Sequence, residues 1–232
     1  MAIGIVAGLK SEARLLDSLQ KSGQVCVALS GADSGRAARA AEGLASHGVS
    51  ALLSFGLCGA LAPSVAVGDL VLPAAVRDEQ GQSWPCDPAW YAAFLKALCS
   101  LQLHTPHRGA VLEGAILGAD RVVAAASDKA ELGRRFDAKA VDMESHAVAA
   151  AAQAAGLPFL VVRACSDRVD RTLPPVALRA TAPGGGLRLL PVLVSLARHP
   201  RQLPHLMELR RGTKAALAAL APVVGAFPRE RG

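Results

Sequence analysis

Two polar residues, Ser166 and Asp167, are the first candidates for chemistry because they follow a short apolar run at residues 159–162. The run holds two valines after a Gly-Leu-Pro entry, a pattern typical of an interior strand. Arg163 breaks the apolar run, and Ser166 and Asp167 stand where the strand is expected to end. In open α/β sheets, ligands bind in the crevice outside the carboxyl ends of the strands. A carboxylate there is partly desolvated and can hold a proton near neutral pH, although a simple helix-capping role for Asp167 is an equally ordinary explanation.

Three more polar sites interrupt the chain near predicted strand ends: Glu12, the glycine-containing segment 56–60, and the pair Asp142 and Glu144. Each has an ordinary structural explanation, since a Gly-x-x-Gly segment is usually a tight bend and a Glu near a helix start is favoured by the helix dipole. Together they are more informative. We expect Glu12, Glu144 and Asp167 to converge on one cleft.

Alternating strand and helix patterns surround these residues and predict an α/β fold with a mixed, largely parallel central sheet flanked by helices. We expect one domain over residues 1–183 and a helical extension over residues 184–232. Segment 56–60 is predicted to be a turn that follows a strand. Strands are predicted at residues 3–6, 25–29, 51–55, 70–76, 109–117, 138–141 and 159–162, and helices at 8–16, 36–46, 88–100, 127–136 and from about 145 to 155.

The composition fits a single globular unit, since 52% of the 232 residues are hydrophobic, enough for one sizeable core. No apolar run is long enough to span a membrane, and no signal peptide is expected. The five cysteines are scattered and odd in number, which favours reduced thiols in a cytoplasmic protein. The six histidines lack metal-ligand spacing, so no metal is expected. The segment from Gly56 is a poor dinucleotide fingerprint, which argues against a nicotinamide cofactor.

Four segments, in this order, resemble the nucleoside phosphorylase superfamily, and within it the methylthioadenosine/S-adenosylhomocysteine nucleosidases. They are residues 3–16, 56–71, 140–145 and 158–170. The resemblance implies the fold of that superfamily, cleavage of an N-glycosidic bond, no cofactor, and a homodimer. Residues 171–175 and 198–204 resemble the hopanoid-associated subgroup, which is linked to the removal of adenine from adenosylhopane.

The resemblance also implies roles for individual residues. Asp167 matches the general acid that protonates purine N7, and Ser166 assists it. Glu144 matches the carboxylate that binds the ribose hydroxyls, and Met143 matches the apolar group that packs on the sugar. Glu12 matches the residue that activates the attacking water in nucleosidases. A phosphorylase would instead need cations around phosphate, and the candidates are Lys10, Arg14, Arg36, Arg39 and Arg121.

Two segments match the family's substrate-binding positions but depart in residue type. Leu57, Cys58 and Gly59 match the segment beside the sugar and base, with Leu57 where a Ser or Thr is common. Arg121 and Val122 fall where nucleosidases contact the base, with Arg121 in the place of an aromatic residue. These departures keep open a second hypothesis, a nucleoside-binding protein without catalysis on the same fold.

The net charge of +6 belongs to the C-terminal segment, residues 184–232, because the rest of the chain is balanced. Two Leu-rich, basic helices are predicted there, at residues 187–196 and 203–220. The plainest interpretation is a pair of amphipathic helices packed on the core. The functional alternative is peripheral contact with anionic lipid at the inner membrane or shelter for a large apolar 5′-substituent. Nucleic-acid binding is not expected, since few aromatics are available to stack on bases.

Overall fold

The structure is a computed structural model that describes residues 2–100, 111–174 and 203–227. Its ten strands form one sheet, in the order β6-β5-β8-β9-β3-β10-β4-β7, and β1 joins the sheet through β3 and carries β2 on its other side. The strands are β1 Ile3–Ala7, β2 Val25–Leu29, β3 Leu52–Ala60, β4 Leu70–Val71, β5 Ala75–Asp78, β6 Ser83–Pro85, β7 Val111–Leu112, β8 Ala115–Gly118, β9 Ala138–Asp142 and β10 Phe159–Asp167.

Helices flank this sheet, and the mixed, mostly parallel arrangement confirms the predicted α/β fold. Helix α3 packs against α6 and against the first three strands, whereas α7 packs against β10 and β3. Ala, Val and Leu dominate the core, as expected from the few aromatic residues. The helices are α1 Lys10–Ala13, α2 Asp17–Lys21, α3 Ser34–Ser46, α4 Pro88–Ser100, α5 Ala126–Arg135, α6 Ser145–Ala155 and α7 Leu203–Leu220, with 3₁₀ turns at Arg14–Leu16 and Ala221–Ala226.

Strand β3 changes its neighbour on one edge halfway along, from β1 to β9. The change leaves a gap between β1 and β9, and the candidate site lies at this gap. Its first half pairs in parallel with β1 up to Phe55, and its end pairs antiparallel with β9 at Gly59 and Ala60. Strand β10 lies along the other edge for the whole length. The prediction of a turn over residues 56–60 was therefore wrong, because β3 stays paired with β10 from Gly56 to Gly59.

Strand β10 also runs further than its apolar pattern suggests. The ladder to β3 continues from Phe159 through Arg163 to Asp167, with a register shift between Cys165 and Asp167. Arg163 does not end the strand, since its side chain is buried among acidic and hydroxyl groups that compensate its charge. Asp167 stands at the strand end, as predicted.

Other boundaries differ where glycine or a cap intervenes. The strand predicted over residues 109–117 is two short strands separated at Gly114, whose φ of 124° interrupts the pairing. The segment 70–76 likewise divides into β4 and β5. Helix α3 begins two residues before its predicted start because the Asp33 side chain accepts a hydrogen bond from the Arg36 amide and caps it.

The C-terminal helix predicted at residues 203–220 is present as α7, and the one predicted at residues 187–196 lies outside the described residues. Within the described residues, no helix is long and apolar enough to cross a membrane. The division of the chain at residue 183 stays a prediction.

Candidate active site

The Glu12 side chain lies at the part of the sheet where β3 exchanges β1 for β9 as its neighbour. Helix α1 follows β1 directly and carries Glu12, whose side chain is only 2% exposed. One carboxylate oxygen accepts the Leu57 amide at 3.0 Å, in the stretch of β3 that has no β1 or β9 partner. The other accepts the Leu9 amide at 2.8 Å. Two backbone donors thus fix the orientation of a carboxylate inside the sheet.

Glu144 lies beside Glu12, and Arg163 holds it. The Arg163 Nη2 atom lies 3.2 Å from Glu144 Oε2, and the Ser30 hydroxyl lies 3.4 Å from Oε1. A methyl group added at Gly8 would stand 2.6 Å from Glu144 Oε1 and 3.4 Å from Glu12 Oε2. Both carboxylates therefore meet over the Gly8 backbone, whereas the predicted convergence of Asp167 with them stays a prediction.

Arg163 organises the acidic group from within β10. Its Nε atom pairs with Asp142 Oδ2 at 2.7 Å, and its Nη2 donates to the Ser54 hydroxyl at 2.6 Å. The other Asp142 oxygen accepts the amide of Ser145 at 3.1 Å and its hydroxyl at 2.7 Å, at the start of α6. Three buried carboxylates thus surround one buried guanidinium, and the local formal charge is negative when all are ionised.

Burial raises the pKa of both site glutamates, and repulsion from neighbouring carboxylates adds to it at Glu144. Desolvation raises the pKa of Glu144 to about 7, the Arg163 charge opposes this, and repulsion from Asp142 and Glu12 adds to it. Desolvation also raises the pKa of Glu12, against the Arg163 charge and the backbone donors. Desolvation lowers the pKa of Arg163, but the surrounding carboxylates outweigh it and raise that pKa above its usual value. Glu144 can therefore take up or release a proton near neutral pH.

The raised pKa of Glu144 predicts a pH-dependent stability. A carboxyl whose pKa rises from 4.5 to about 7 on folding favours the folded state below pH 4.5, and this contribution is lost as the pH rises to about 7. The free energy of unfolding that is lost over this pH range is about 3 kcal/mol. We expect Glu144→Gln to remove this part of the decrease in the free energy of unfolding between pH 4.5 and 7.5, measured by urea denaturation. The variant Glu42→Gln, which alters an exposed side chain on α3, should show the same decrease with pH as wild type. Equal pH dependence in wild type and Glu144→Gln would contradict the burial argument.

Asp167 occupies the end of β10, next to Gly59 of β3. The Ser166 hydroxyl lies 2.9 Å from Asp167 Oδ1 and 3.1 Å from the Cys58 carbonyl oxygen, so it donates to one of them at a time. The second carboxylate oxygen pairs with the Lys129 ammonium. The Asp167 side chain is 12% exposed, in contrast to the more deeply buried glutamates.

Cys58 lies between the Asp167 end and the Arg163 cluster. It is the register partner of Cys165 on β10. Desolvation raises the pKa of its thiol, and the charges of Cys165, Arg163, Asp142 and Asp167 all act on it. Asp167 lies four positions after Arg163 on the same strand, which places their Cα atoms at most roughly 13 Å apart. Asp167 and the carboxylates around Arg163 therefore lie along one line of the sheet, which follows β10.

The remaining predicted residues divide into two sets. Leu57, Cys58, Gly59 and Met143 lie within or beside this line, and Leu57 contributes its amide while its hydrophobic side chain is half-buried. Arg121 and Val122 do not join them: Arg121 is 57% exposed and its guanidinium lies 3.7 Å from Glu79, and Val122 is exposed. Their contact with a base stays a prediction.

Gly56 has no room for a side chain. An added Cβ would stand 2.7 Å from Arg163 Nη1 and 2.7 Å from Glu12 Oε1, at a φ of 156°. We expect Gly56→Ala to displace both side chains and to lower the free energy of unfolding by about 1–3 kcal/mol. In α3, Gly43→Ala meets nothing within 4 Å and should instead stabilise by about 1 kcal/mol. Chemical denaturation of both variants checks the contrast, and a neutral Gly56→Ala would show that this segment is not closely packed.

Sequence reasoning did not assign roles to Arg163 and Lys129. Arg163 carried a usable signal, since an arginine inside an apolar strand pattern needs buried acidic partners. Lys129 carried none, because a lysine on an amphipathic helix is ordinarily exposed. In the described parts of the chain, no cluster of three or more His, Cys, Asp or Glu side chains has the arrangement of a metal site.

The sheet, its flanking helices and the acidic group at its strand ends place this molecule among α/β proteins of the nucleoside phosphorylase type. Residues 12–181 match the phosphorylase superfamily, and the chain belongs to that superfamily. The resemblance drawn from the four motifs is confirmed at this level. The hopanoid-associated subgroup stays a prediction.

Relatives with known functions or structures agree with this placement. A 5′-methylthioadenosine/S-adenosylhomocysteine nucleosidase of Haemophilus ducreyi is 34% identical over 135 residues, which span 52% of this chain and only 56% of that protein. The Neisseria meningitidis nucleosidase of the same description, solved with methylthio-immucillin-A, superimposes with a TM-score of 0.71 at 19% identity over 97% of each chain. Futalosine hydrolase of Helicobacter pylori gives 0.70 at 17% identity over 98% of each chain. These structural matches establish the fold.

Proposed function

We propose that this protein hydrolyses the N-glycosidic bond of an adenine nucleoside. The observation that carries the proposal is the pair Glu12 and Glu144, two buried carboxylates with raised pKa values that meet over Gly8 beside Arg163. Asp167 lies at the end of β10, further along the β3–β10 pair that contains Arg163. Two nearby carboxyl groups and a third at a distance suit a reaction that develops positive charge on a sugar and needs a proton on the leaving group.

Each carboxylate has a distinct part in this reaction. As the bond breaks, the purine accumulates electron density, and Asp167, assisted by Ser166, supplies the proton that N7 needs. Glu144 accepts hydrogen bonds from the ribose hydroxyls, and its negative charge stabilises the oxocarbenium-like sugar. Met143 packs against the sugar. Glu12 takes the proton of the attacking water, and a pKa raised by burial makes it a stronger base for that task.

Local charge favours water over phosphate as the nucleophile. Glu12, Asp142 and Glu144 outnumber Arg163, and a phosphate dianion would meet net repulsion in this poorly solvated region. Arg36 donates to the Gly31 carbonyl oxygen at 2.9 Å and lies near Asp33. The other candidate phosphate ligands, Lys10, Arg14, Arg39 and Arg121, are exposed. Arg36 is thus held by a carbonyl oxygen and Asp33, and the other four candidates lie on the surface of the protein.

The particular nucleoside that we propose is adenosylhopane, on the resemblance of residues 171–175 and 198–204 to the hopanoid-associated subgroup. A cavity of about 270 Å³ adjoins Asp167, and its lining combines Val67, Leu173 and Leu209 with the charged residues Arg168, Arg171, Glu208 and Arg211. The apolar part of this lining suits an apolar part of a substrate. Methylthioadenosine and S-adenosylhomocysteine, named for the relatives, are the alternative substrates.

Release of adenine from these nucleosides, with and without phosphate, tests the proposal. We expect release in phosphate-free buffer from methylthioadenosine, and more efficient release from adenosylhopane, measured as kcat/KM by chromatography. Release that depends wholly on phosphate would replace the hydrolase with a phosphorylase. Absence of release from every adenine nucleoside would favour the non-catalytic binding protein.

Two proposals on partners accompany this function. The resemblance favours a homodimer, which sedimentation would test.

Leu203 and Met207, one turn apart on α7 and each 49% exposed, support peripheral contact with lipid, together with the basic character of residues 184–232. Cosedimentation with vesicles that contain anionic lipid should decrease on Leu203→Ser with Met207→Ser. Unchanged cosedimentation of that double variant would exclude this face.

A further inference from the structure

Lys129 is a buried lysine, and the packing of the fold does not by itself explain the polar groups that surround its ammonium group. It lies on α5 with its side chain 1% exposed. Its ammonium group donates to one Asp167 carboxylate oxygen, to the Arg168 carbonyl oxygen at 3.1 Å and to the Arg171 carbonyl oxygen at 2.9 Å. All three of its N–H donors therefore have partners, and all three partners belong to the strand end and the loop that follows it.

Stability does not account for this arrangement. Removing an ammonium group from water is costly, and a buried ion pair often contributes no more than a well-packed apolar side chain of similar volume. An apolar residue on this buried face of α5, next to Leu132, would satisfy the packing. An apolar residue would not supply hydrogen-bond donors to the Arg168 and Arg171 carbonyl oxygens or, beside them, a fixed donor to the Asp167 carboxylate.

Among the described residues, the Lys129 ammonium is the charged group that donates to Asp167. Asp167 follows a register shift in β10, and Ser166, its own chain neighbour, is the source of the other side-chain contact. On the remaining side the carboxylate lies close over Gly59, since an added Cβ there would stand 3.1 Å from Oδ2 and 3.3 Å from Oδ1. Without the ammonium group, the carboxylate would lose its charged donor and keep the Ser166 hydroxyl, which can instead donate to the Cys58 carbonyl oxygen.

We propose that Lys129 is a positioning residue for Asp167. It holds one carboxylate oxygen and the two carbonyl groups of residues 168 and 171, so that the carboxylate keeps one orientation toward the leaving base. The inference rests on the proposed role of Asp167. Misplacement of a catalytic group by about 1 Å costs on the order of 10²-fold in rate.

Kinetics of Lys129 variants test this inference. We expect Lys129→Met to lower kcat for adenine release from methylthioadenosine by about 10²-fold, with KM nearly unchanged, because the variant still binds the nucleoside. In Lys129→Ala, added propylamine should restore part of kcat, and 1-propanol should not, because the alcohol lacks the charged donor. Lys129→Arg should keep more activity than Lys129→Met. Lys96→Met, an exposed lysine on helix α4, is the matched control and should behave as wild type.

Each outcome decides the matter. A folded Lys129→Met variant with wild-type kcat overturns the inference, and so does a loss that neither propylamine nor arginine relieves. Failure of Met, Ala and Gln variants alike to fold, judged by circular dichroism, would assign Lys129 to the fold and also overturn it. Asp167→Asn separates this inference from the proposed function: full activity in that variant refutes the role of Asp167, whereas loss there beside a normal Lys129→Met refutes only the positioning role.

Discussion

Replacing Asp167 by Asn is expected to lower kcat for adenine release by about 10²–10⁴-fold, the usual contribution of a general acid. Asn has the same shape as Asp and still accepts from Lys129, so the strand end and its loop should remain in place. It cannot deliver a proton to N7 of the base. We expect KM to change little, since the side chain is needed mainly as the bond breaks.

The neighbouring Asp170 provides a matched control. Its carboxylate is 56% exposed and pairs with Arg168 at 2.8 Å, away from the buried groups. Asp170→Asn should keep the wild-type kcat, measured by the same release of adenine. A large loss in Asp170→Asn, or wild-type turnover in Asp167→Asn, would remove Asp167 from the mechanism.

Replacing Glu12 by Gln is the second change with a large expected effect. We expect kcat to decrease by about 10²–10⁴-fold because Gln cannot take the proton of the attacking water. The change also has a structural cost, since the Leu9 and Leu57 amides both donate to this side chain and the Gln NH₂ group would face one of them. That cost is about 1–3 kcal/mol of stability.

Separating the two effects requires a measure of folding beside the assay. The denaturation midpoint gives the folded fraction, and kcat is then expressed per folded molecule. Glu42→Gln on α3, whose side chain is exposed, should change neither quantity. A folded Glu12→Gln variant that releases adenine at the wild-type rate would show that Glu12 is structural.

The candidate site was predictable from sequence to the extent that it depends on strand ends. Polar residues after an apolar run indicated Asp167 as a candidate, and the carboxyl-end rule for α/β sheets predicted that Glu12, Glu144 and Asp167 converge. The structure brings Glu12 and Glu144 together. The segment from Gly56 was misread as a turn because glycine usually marks a bend. Here glycine serves a different need, the close approach of Glu12 and Arg163 to the β3 backbone.

The remaining features depend on contacts between distant parts of the chain. Nothing local in the sequence indicates that β3 exchanges β1 for β9 as its neighbour, which opens the gap that Glu12 fills. The burial of Lys129 depends on how α5 packs against the loop after β10. Such pairings are set by tertiary packing, on which residue patterns within one element carry no information.

The measurement that tests the central claim most directly is hydrolysis of methylthioadenosine in ¹⁸O-labelled water without phosphate. We predict that adenine is released and that the sugar product, analysed by mass spectrometry before exchange, carries one ¹⁸O atom from the attacking water. The same result should hold when phosphate is added. A sugar phosphate that carries no ¹⁸O, or no release of adenine under either condition, would contradict the account.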